Sequence, residues 1–200
     1  ISVIPAAVAK AAVDSGVARK KIDDFEIYKD QLKQRLDPTV TIMQGINSFI
    51  KKNQKRIVFA DGEDENTLKA AIAFKNSKLG IPILVGKESK IKEQIRNIGY
   101  NENFDIEITN SKDEEKRKKY LKHLFEKLQR EQGLLERDCD RLLRNDRVIW
   151  ATSMVACGDA DGAVTGNTRR FGASLEKIKQ VVDVRKGEIM FGLNMVVHKG

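Results

Sequence analysis

From Arg56 onward, short apolar runs alternate with stretches of helical spacing, and this alternation constrains the fold more than any other feature of the chain. RIVFA (56–60), IPILV (81–85) and DGAVT (161–165) have the length of buried strands, and FDIEI (104–108) alternates Phe104, Ile106 and Ile108. Between the first two runs, Leu68, Ala71 and Ile72 form an apolar face, with Gly80 placed to end the helix. Ile91, Ile95 and Ile98 then recur at i, i+4 and i+7 before Gly99, a good C-cap residue. Ser111 and Glu114 have capping-box spacing and should open a long charged helix that turns Leu121, Leu124, Phe125 and Leu128 inward. Gly133 interrupts it. A helix carrying Leu135, Cys139, Leu142 and Leu143 follows, then RVIWATSMVACG, and after DGAVT one on Leu175, Ile178 and Val182. A closing strand is expected with Ile189, Phe191, Leu193, Met195 and Val197 on one face. Strands apolar on both faces, each followed by helical sequence, predict an α/β fold with a mostly parallel sheet covered by helices.

The first 36 residues differ. Pro5 is tolerated in a first helical turn, Val8, Ala11 and Ala12 share a face, and Gly16 can end the helix with positive φ. A second helix puts Tyr28, Leu32 and Arg35 on one side and stops at Asp37-Pro38, because a residue before proline avoids helical geometry. A third follows on Ile42, Ile46, Phe49 and Ile50.

A formal charge of +8 raises the question of nucleic acid. The cations are interspersed with 29 acidic residues, aromatics are only 6% of the chain, and no basic-aromatic cluster is visible, so lysine-rich solvated helix faces are expected instead. No apolar run is long enough to span a bilayer. Cys139 and Cys157 stand far from any CxxC spacing, and His123 and His198 have no partner at ligand spacing. A zinc site is not expected, and unpaired cysteines suit a reducing cytoplasm. A start at Ile1 inside a helical pattern suggests a piece of a longer polypeptide.

Two loops could carry chemistry. In KRIVFADGEDENTLKAA (55–71), a phosphate cradle would need positive potential at the helix start, but Glu63, Asp64 and Glu65 occupy it and would repel an anion. The loop reads as a helix start; a metal held by Asp61 and Glu63 is the rival. The second, TGNTRRFGASL (165–175), follows the carboxyl end of a strand, where open α/β sheets bind ligands. Gly166 lets backbone approach a ligand, Asn167 and Thr168 offer hydrogen bonds, and Arg169 and Arg170 offer bidentate donors suited to phosphate. A phosphate-bearing thioester such as acetyl-CoA would suit it; surface arginines or a subunit salt bridge are the alternative. The pairs Asp138/Asp140 and Asp159/Asp161 have no partner to fix acid and base, and Asp159 and Asp161 are expected to shape the turn before DGAVT. Cys157 reads as a structural thiol.

KRIVFADGEDENTLKAA, LGIPILVGK and MVACGDADGAVTGNT together resemble the phosphotransacetylase family over roughly residues 40–200. ISVIPAAVAKAAVDSGVARKKI with YKDQLKQRLDPT resembles the end of a bacterial malic enzyme, and in the hybrid malic enzymes that end is joined to a phosphotransacetylase-like domain. The resemblance implies three parts: 1–38 as the helical end of a malic enzyme domain, 39–186 as the first lobe of the phosphotransacetylase-like fold, and 187–200 as the start of its second lobe. It also implies NADP-dependent oxidative decarboxylation of malate by the full-length homo-oligomer, with NADP and Mg or Mn held in an upstream domain. This lobe would sense acetyl-CoA or CoA and help assembly, in the cytoplasm and without nucleic-acid or membrane partners. Where the family commonly has an arginine beside a proline, this chain has Glu176 and Lys177, a reversal of sign against phosphate. The family's catalytic serine, arginine and aspartate lie beyond this stretch, so no catalytic residue and no metal ligand is assigned here. The alternative is an active phosphate acetyltransferase.

Overall fold

The computed structural model describes residues 3–36, 38–101, 105–194 and 196, with backbone alone at 3, 26, 30, 33–36, 38–42 and 44. The elements are α1 (Val3–Asp14), α2 (Phe25–Leu36), α3 (Pro38–Lys52), β1 (Lys55–Phe59), α4 (Glu65–Asn76), β2 (Gly80–Val85), α5 (Glu88–Asn97), β3 (Glu107–Thr109), α6 (Glu114–Gln132), α7 (Glu136–Asn145), α8 (Arg147–Ala156), β4 (Gly162–Val164) and α9 (Phe171–Val181). They fall into two compact units. One holds α1, α2 and most of α3, and the other runs Ile50–Met190.

In the helical unit, Gly16 ends α1 with φ +74°, as expected. The Ser15 hydroxyl donates to the Ala11 carbonyl at 2.8 Å, and the Asp24 carboxylate accepts from the Ile27 N–H at 3.1 Å near the start of α2. The apolar face proposed for α1 is not the covered one: Val8 and Ala11 are exposed, whereas Ala6, Ala9, Ala12 and Val13 are partly covered. On α2, Tyr28 and Leu32 are half-buried; the side chains of Arg35 and Ile42 lie outside the described residues. On α3, Ile46 and Phe49 are exposed.

The larger unit is the expected α/β domain. Its sheet has the order β3-β2-β1-β4, and every pairing is parallel, with Val58 opposite Ile83 on one side and Ala163 on the other. Period-two alternation sends neighbouring residues of β1 to opposite faces. Val58 and Ala60 join Ile83 and Val85 in a core closed by Tyr120, Leu124 and Leu128 of α6, Leu143 of α7, Trp150 of α8 and Val181 of α9. Phe59 and Leu84 face Leu68 and Ile72 of α4 and Ile91 and Ile95 of α5. Helix α8 is buried from Val148 to Met154, which explains why its sequence is apolar almost all round.

Three expectations change in detail. Gly80 does not end α4; Ser77 caps it, Lys78 takes the positive φ, and Gly80 opens β2. A Cβ at Gly80 would stand 2.6 Å from the Lys55 carbonyl oxygen and 2.7 Å from the Phe74 ring, so the glycine is there for close packing. Gly80→Ala should therefore lower stability by about 2 kcal/mol, read as a urea midpoint shift in Trp150 fluorescence. The cap of α6 is Asp113, whose carboxylate accepts from the Lys116 N–H at 3.0 Å. The Ser111 hydroxyl instead donates to the Arg144 carbonyl at 3.3 Å, so no capping box forms. Finally, the expected closing strand is absent among the described residues. Ile189, Phe191 and Leu193 are 82%, 76% and 87% exposed and pair with no strand, and Met195 and Val197 lie outside the described residues. Alternation of apolar residues suits a strand, but a strand needs a neighbour for its backbone groups. Phe104 of the expected third strand also lies outside the described residues, and β3 begins at Glu107. Gly99 and Gly133 take positive φ after α5 and α6, as their positions require.

Candidate functional site

The sheet order reverses at β1: β2 and β3 lie to one side and β4 to the other. Loops leaving the carboxyl ends of β1 and β4 therefore flank a topological switch point, the usual ligand crevice of an open α/β sheet. These are the two loops that the sequence singles out, 60–64 and 165–170, and side chains join them across more than a hundred residues.

Asp61 is 1% exposed. Its Oδ1 accepts from the Thr168 hydroxyl at 2.6 Å and lies 3.4 Å from Arg147 Nε, while its Oδ2 is buried without a hydrogen-bond partner. Arg147 also donates to Thr168 Oγ1 at 3.2 Å, closing a triangle. Asp64 is the N-cap of α4 and accepts from the Thr67 N–H at 2.9 Å. Its carboxylate accepts a second bond from Asn167 Nδ2, which also reaches Thr67 Oγ1 at 3.2 Å. Backbone and side-chain donors hold the Asp64 carboxyl below its ordinary value, with the Thr67 N–H the largest cause. Arg169 donates to Asp146 Oδ2 at 2.8 Å, and Asp146 caps α8 through the Val148 N–H at 2.9 Å. The sequence did not mark Asp146 and Arg147 as site residues, because Arg169 lies 23 residues from Asp146, and Thr168 and Asp61 lie 21 and 86 residues from Arg147.

The five loop residues thus have different surroundings. Asn167, Thr168 and Arg169 face partners within the chain. Arg170 is exposed at the N-cap of α9 and makes no side-chain cap bond. Gly166 has φ +103° with open space where a Cβ would stand. Beside it lies a cavity of about 500 Å³ lined by Val164, Thr165, Gly166, Phe171, Ser174 and Leu175, among others. The hydroxyls of Thr165 and Ser174 are buried without a hydrogen-bond partner, and Ser174 is only 3% exposed.

The acidic loop is the helix start it was read as. Glu63 accepts from the Lys87 N–H at 2.8 Å and lies 3.3 Å from Lys90 Nζ, so with Asp61 engaged by Thr168 and Arg147 the two carboxylates are committed to cations and donors of the chain. Among the described residues no group of three or more His, Cys, Asp or Glu could hold a metal ion.

At the other end of the sheet, the Gly158–Gly162 turn is an anchor. Asp161 accepts from the Arg56 N–H at 2.8 Å and from Lys55 Nζ at 3.1 Å. Asp159 accepts from Lys119 Nζ and the Tyr120 hydroxyl, both at 2.7 Å. Both aspartates shape the turn, as expected. Burial pushes the Asp159 carboxyl up, but Lys119 and Tyr120 outweigh it and hold the group below its usual 3.8. A depressed folded pKa stabilises the fold above the unfolded value, and this stability is lost as pH falls through the lower folded one. Lys119→Met should therefore cost about 0.5–1 kcal/mol near neutral pH and flatten the acid limb below pH 3.8, measured as urea midpoints against pH. Cys157, partly buried nearby, has its thiol pushed up by burial, which fits a structural role.

The family description "Phosphate acetyl/butaryl transferase" matches residues 41–199. This chain belongs to that family. A phosphotransacetylase from Streptococcus pyogenes, 22% identical, shares the fold with a TM-score of 0.67 over 75% of this chain and 44% of that one. The likeness to malic enzymes extends further along the chain. An NADP-dependent malic enzyme of Rhizobium meliloti is 40% identical over the whole chain and 26% of its own length. A probable NADP-dependent malic enzyme of Rickettsia prowazekii is 38% identical over the same shares. The chain spans about a quarter of these relatives, and its first 40 residues, outside the transferase-family match, align with them too. Within the family, then, this chain resembles a transferase-like domain joined to malic-enzyme sequence. No helix among the described residues is long and apolar enough to cross a membrane.

Proposed function

We propose that this chain is the junction and first transferase-like lobe of an NADP-dependent malic enzyme, and that the lobe binds acetyl-CoA as a regulatory signal without turning it over. The full-length protein oxidatively decarboxylates malate to pyruvate, with NADP and Mg or Mn held upstream of Ile1. It works as a homo-oligomer in the cytoplasm, which this lobe helps to assemble, and has no nucleic-acid or membrane partner.

The reading is carried by the cavity beside Gly166. Phe171 and Leu175 offer an apolar wall, and the buried, unpartnered hydroxyls of Thr165 and Ser174 suit the amides and thioester of a pantetheine arm. Arg170, exposed at the loop's end, suits the phosphates of CoA. What supports regulation over catalysis is the commitment of Asn167, Thr168 and Arg169 to Asp64, Asp61 and Asp146. Glu176, exposed on α9, stands where the family commonly supplies a cation. Allostery requires acetyl-CoA to favour one state of the enzyme over another. Malate-dependent NADP reduction by the full-length protein should change with acetyl-CoA, and Arg170→Ala should weaken that response. An unchanged rate and malate affinity would remove the regulatory reading.

The family match favours one second reading, an active phosphate acetyltransferase moving acetyl between CoA and phosphate. It predicts CoA-dependent turnover of acetyl phosphate.

A further inference from the structure

Helix α9 has two faces. Ser174, Leu175 and Ile178 line the cavity beside Gly166, while Ile178, Val181 and Val182 belong to the core that α6 and α8 close. Its first turn carries Phe171, Gly172 and Ala173, all exposed, and Arg170 at the N-cap makes no side-chain cap bond. The seating of this cavity wall therefore depends on the C-terminal end of the helix.

The last carbonyls of a helix have no partner within it, and a cation placed there also meets the negative end of the helix dipole. Two side chains of α6 fill this role. Lys127 Nζ donates to the Lys179 carbonyl and to Asp183 Oδ1, both at 2.7 Å, and His123 Nε2 donates to the Val181 carbonyl at 3.1 Å. A carbonyl can only accept, so this bond places a hydrogen on Nε2. The Lys127 side chain is 9% exposed, and lysine is almost never this buried unless it is paired. His123 and Lys127 stand four positions apart on α6, on one face, so both reach the same helix end. With Asp183 they line a cleft of about 540 Å³ that shares no lining residue with the cavity beside Gly166.

We infer that Lys127 and His123 are positioning residues for the acetyl-CoA cavity: they clamp the C-terminal end of α9 to α6 and so set the wall made by Ser174, Leu175 and Ile178. The inference rests on the acetyl-CoA reading above. A wall already in place spares a ligand the cost of ordering it, so releasing the clamp lowers affinity without removing any group that lines the cavity.

Two measurements on the full-length protein test this. Backbone amide exchange without ligand, followed by mass spectrometry, should quicken about ten-fold over 172–182 in Lys127→Met, with α4 and α5 unchanged. Calorimetric titration with acetyl-CoA should show affinity about five-fold weaker in Lys127→Met and in His123→Ala. His123→Gln should stay within about two-fold of the unaltered protein, because its amide supplies the same donor. Lys119→Met removes an ion pair of the same helix with Asp159 and no bond to α9, so it controls for mere destabilisation and should also stay within about two-fold. Where Lys127→Met does not fold by circular dichroism, His123→Ala and His123→Gln carry both measurements. Unchanged exchange in α9, unchanged affinity in the methionine and alanine variants, or an equal loss in His123→Gln or Lys119→Met would each overturn the inference. No acetyl-CoA binding by the unaltered protein would sink the underlying reading, and the exchange result then decides the clamp by itself.

Discussion

Trp150→Ala is expected to cost about 4 kcal/mol of stability. The indole sits on α8 at the centre of the larger core, among Val58, Ile83 and Val85 of the sheet and Leu143 of α7. Its ring meets Tyr120 of α6 edge to face, with centroids 5.0 Å apart and planes at 75°. Truncation removes the transfer free energy of the ring, leaves a cavity against three helices, and breaks the aromatic pair. Tyr120 is itself pinned through its hydroxyl to Asp159, so it cannot swing in to fill the space. Trp150 is the chain's single tryptophan, so unfolding in urea must be followed by far-ultraviolet circular dichroism. Trp150→Phe should recover more than half of the loss, because it keeps an aromatic edge for Tyr120. A loss below about 1 kcal/mol for the alanine variant would mean that the core collapses around the hole.

Asp61→Ala is the second large effect, at about 3 kcal/mol. The carboxylate is buried, and the triangle it makes with Thr168 and Arg147 crosses from the β1 loop to the β4 loop. Without it, Arg147 loses its ion-pair partner and keeps only the weaker attraction of Glu63, and Thr168 loses its acceptor. Because Asp61 Oδ2 is already unpartnered, part of the cost of burying this group is present in the native protein, and the net loss stays below that of a fully satisfied pair. Asp61→Asn should fall between, since it keeps an acceptor for Thr168 and removes the charge facing Arg147. Trp150 fluorescence in urea reads both variants. A neutral Asp61→Ala would show that the two loops hold their positions without this tie.

The alternation of RIVFA, IPILV and DGAVT with helical spacing was enough to foresee a parallel α/β sheet, because strands buried on both faces leave a local signature in their own residues. The acidic loop could be read for the same reason. Asp64 and Glu65 at a helix start are local electrostatics, and the structure finds Asp64 capping Thr67. The use of Gly80 was not visible, since what excludes a side chain there is the Lys55 carbonyl, 25 positions earlier in the chain. The capping box failed because the helix begins two residues later than Ser111 requires: Asp113 is the cap and accepts from the Lys116 N–H. Apolar alternation at 189–193 looked like a strand, but alternation cannot say whether a neighbouring strand is present. At the candidate site, the sequence marked both loops and not that they face each other. It offered Arg169 as a free phosphate donor; the fold places Asp146 against it.

The lobe has the transferase fold, with Asn167, Thr168 and Arg169 engaged within the chain, and the proposal is that it binds acetyl-CoA beside Gly166 without turning it over. The most direct test follows acetyl transfer between acetyl-CoA and inorganic phosphate in the full-length protein whose malate oxidation has been disabled upstream. The account predicts no acetyl phosphate above the enzyme-free background, although acetyl-CoA still binds. Steady, CoA-dependent acetyl phosphate formation under those conditions would contradict it.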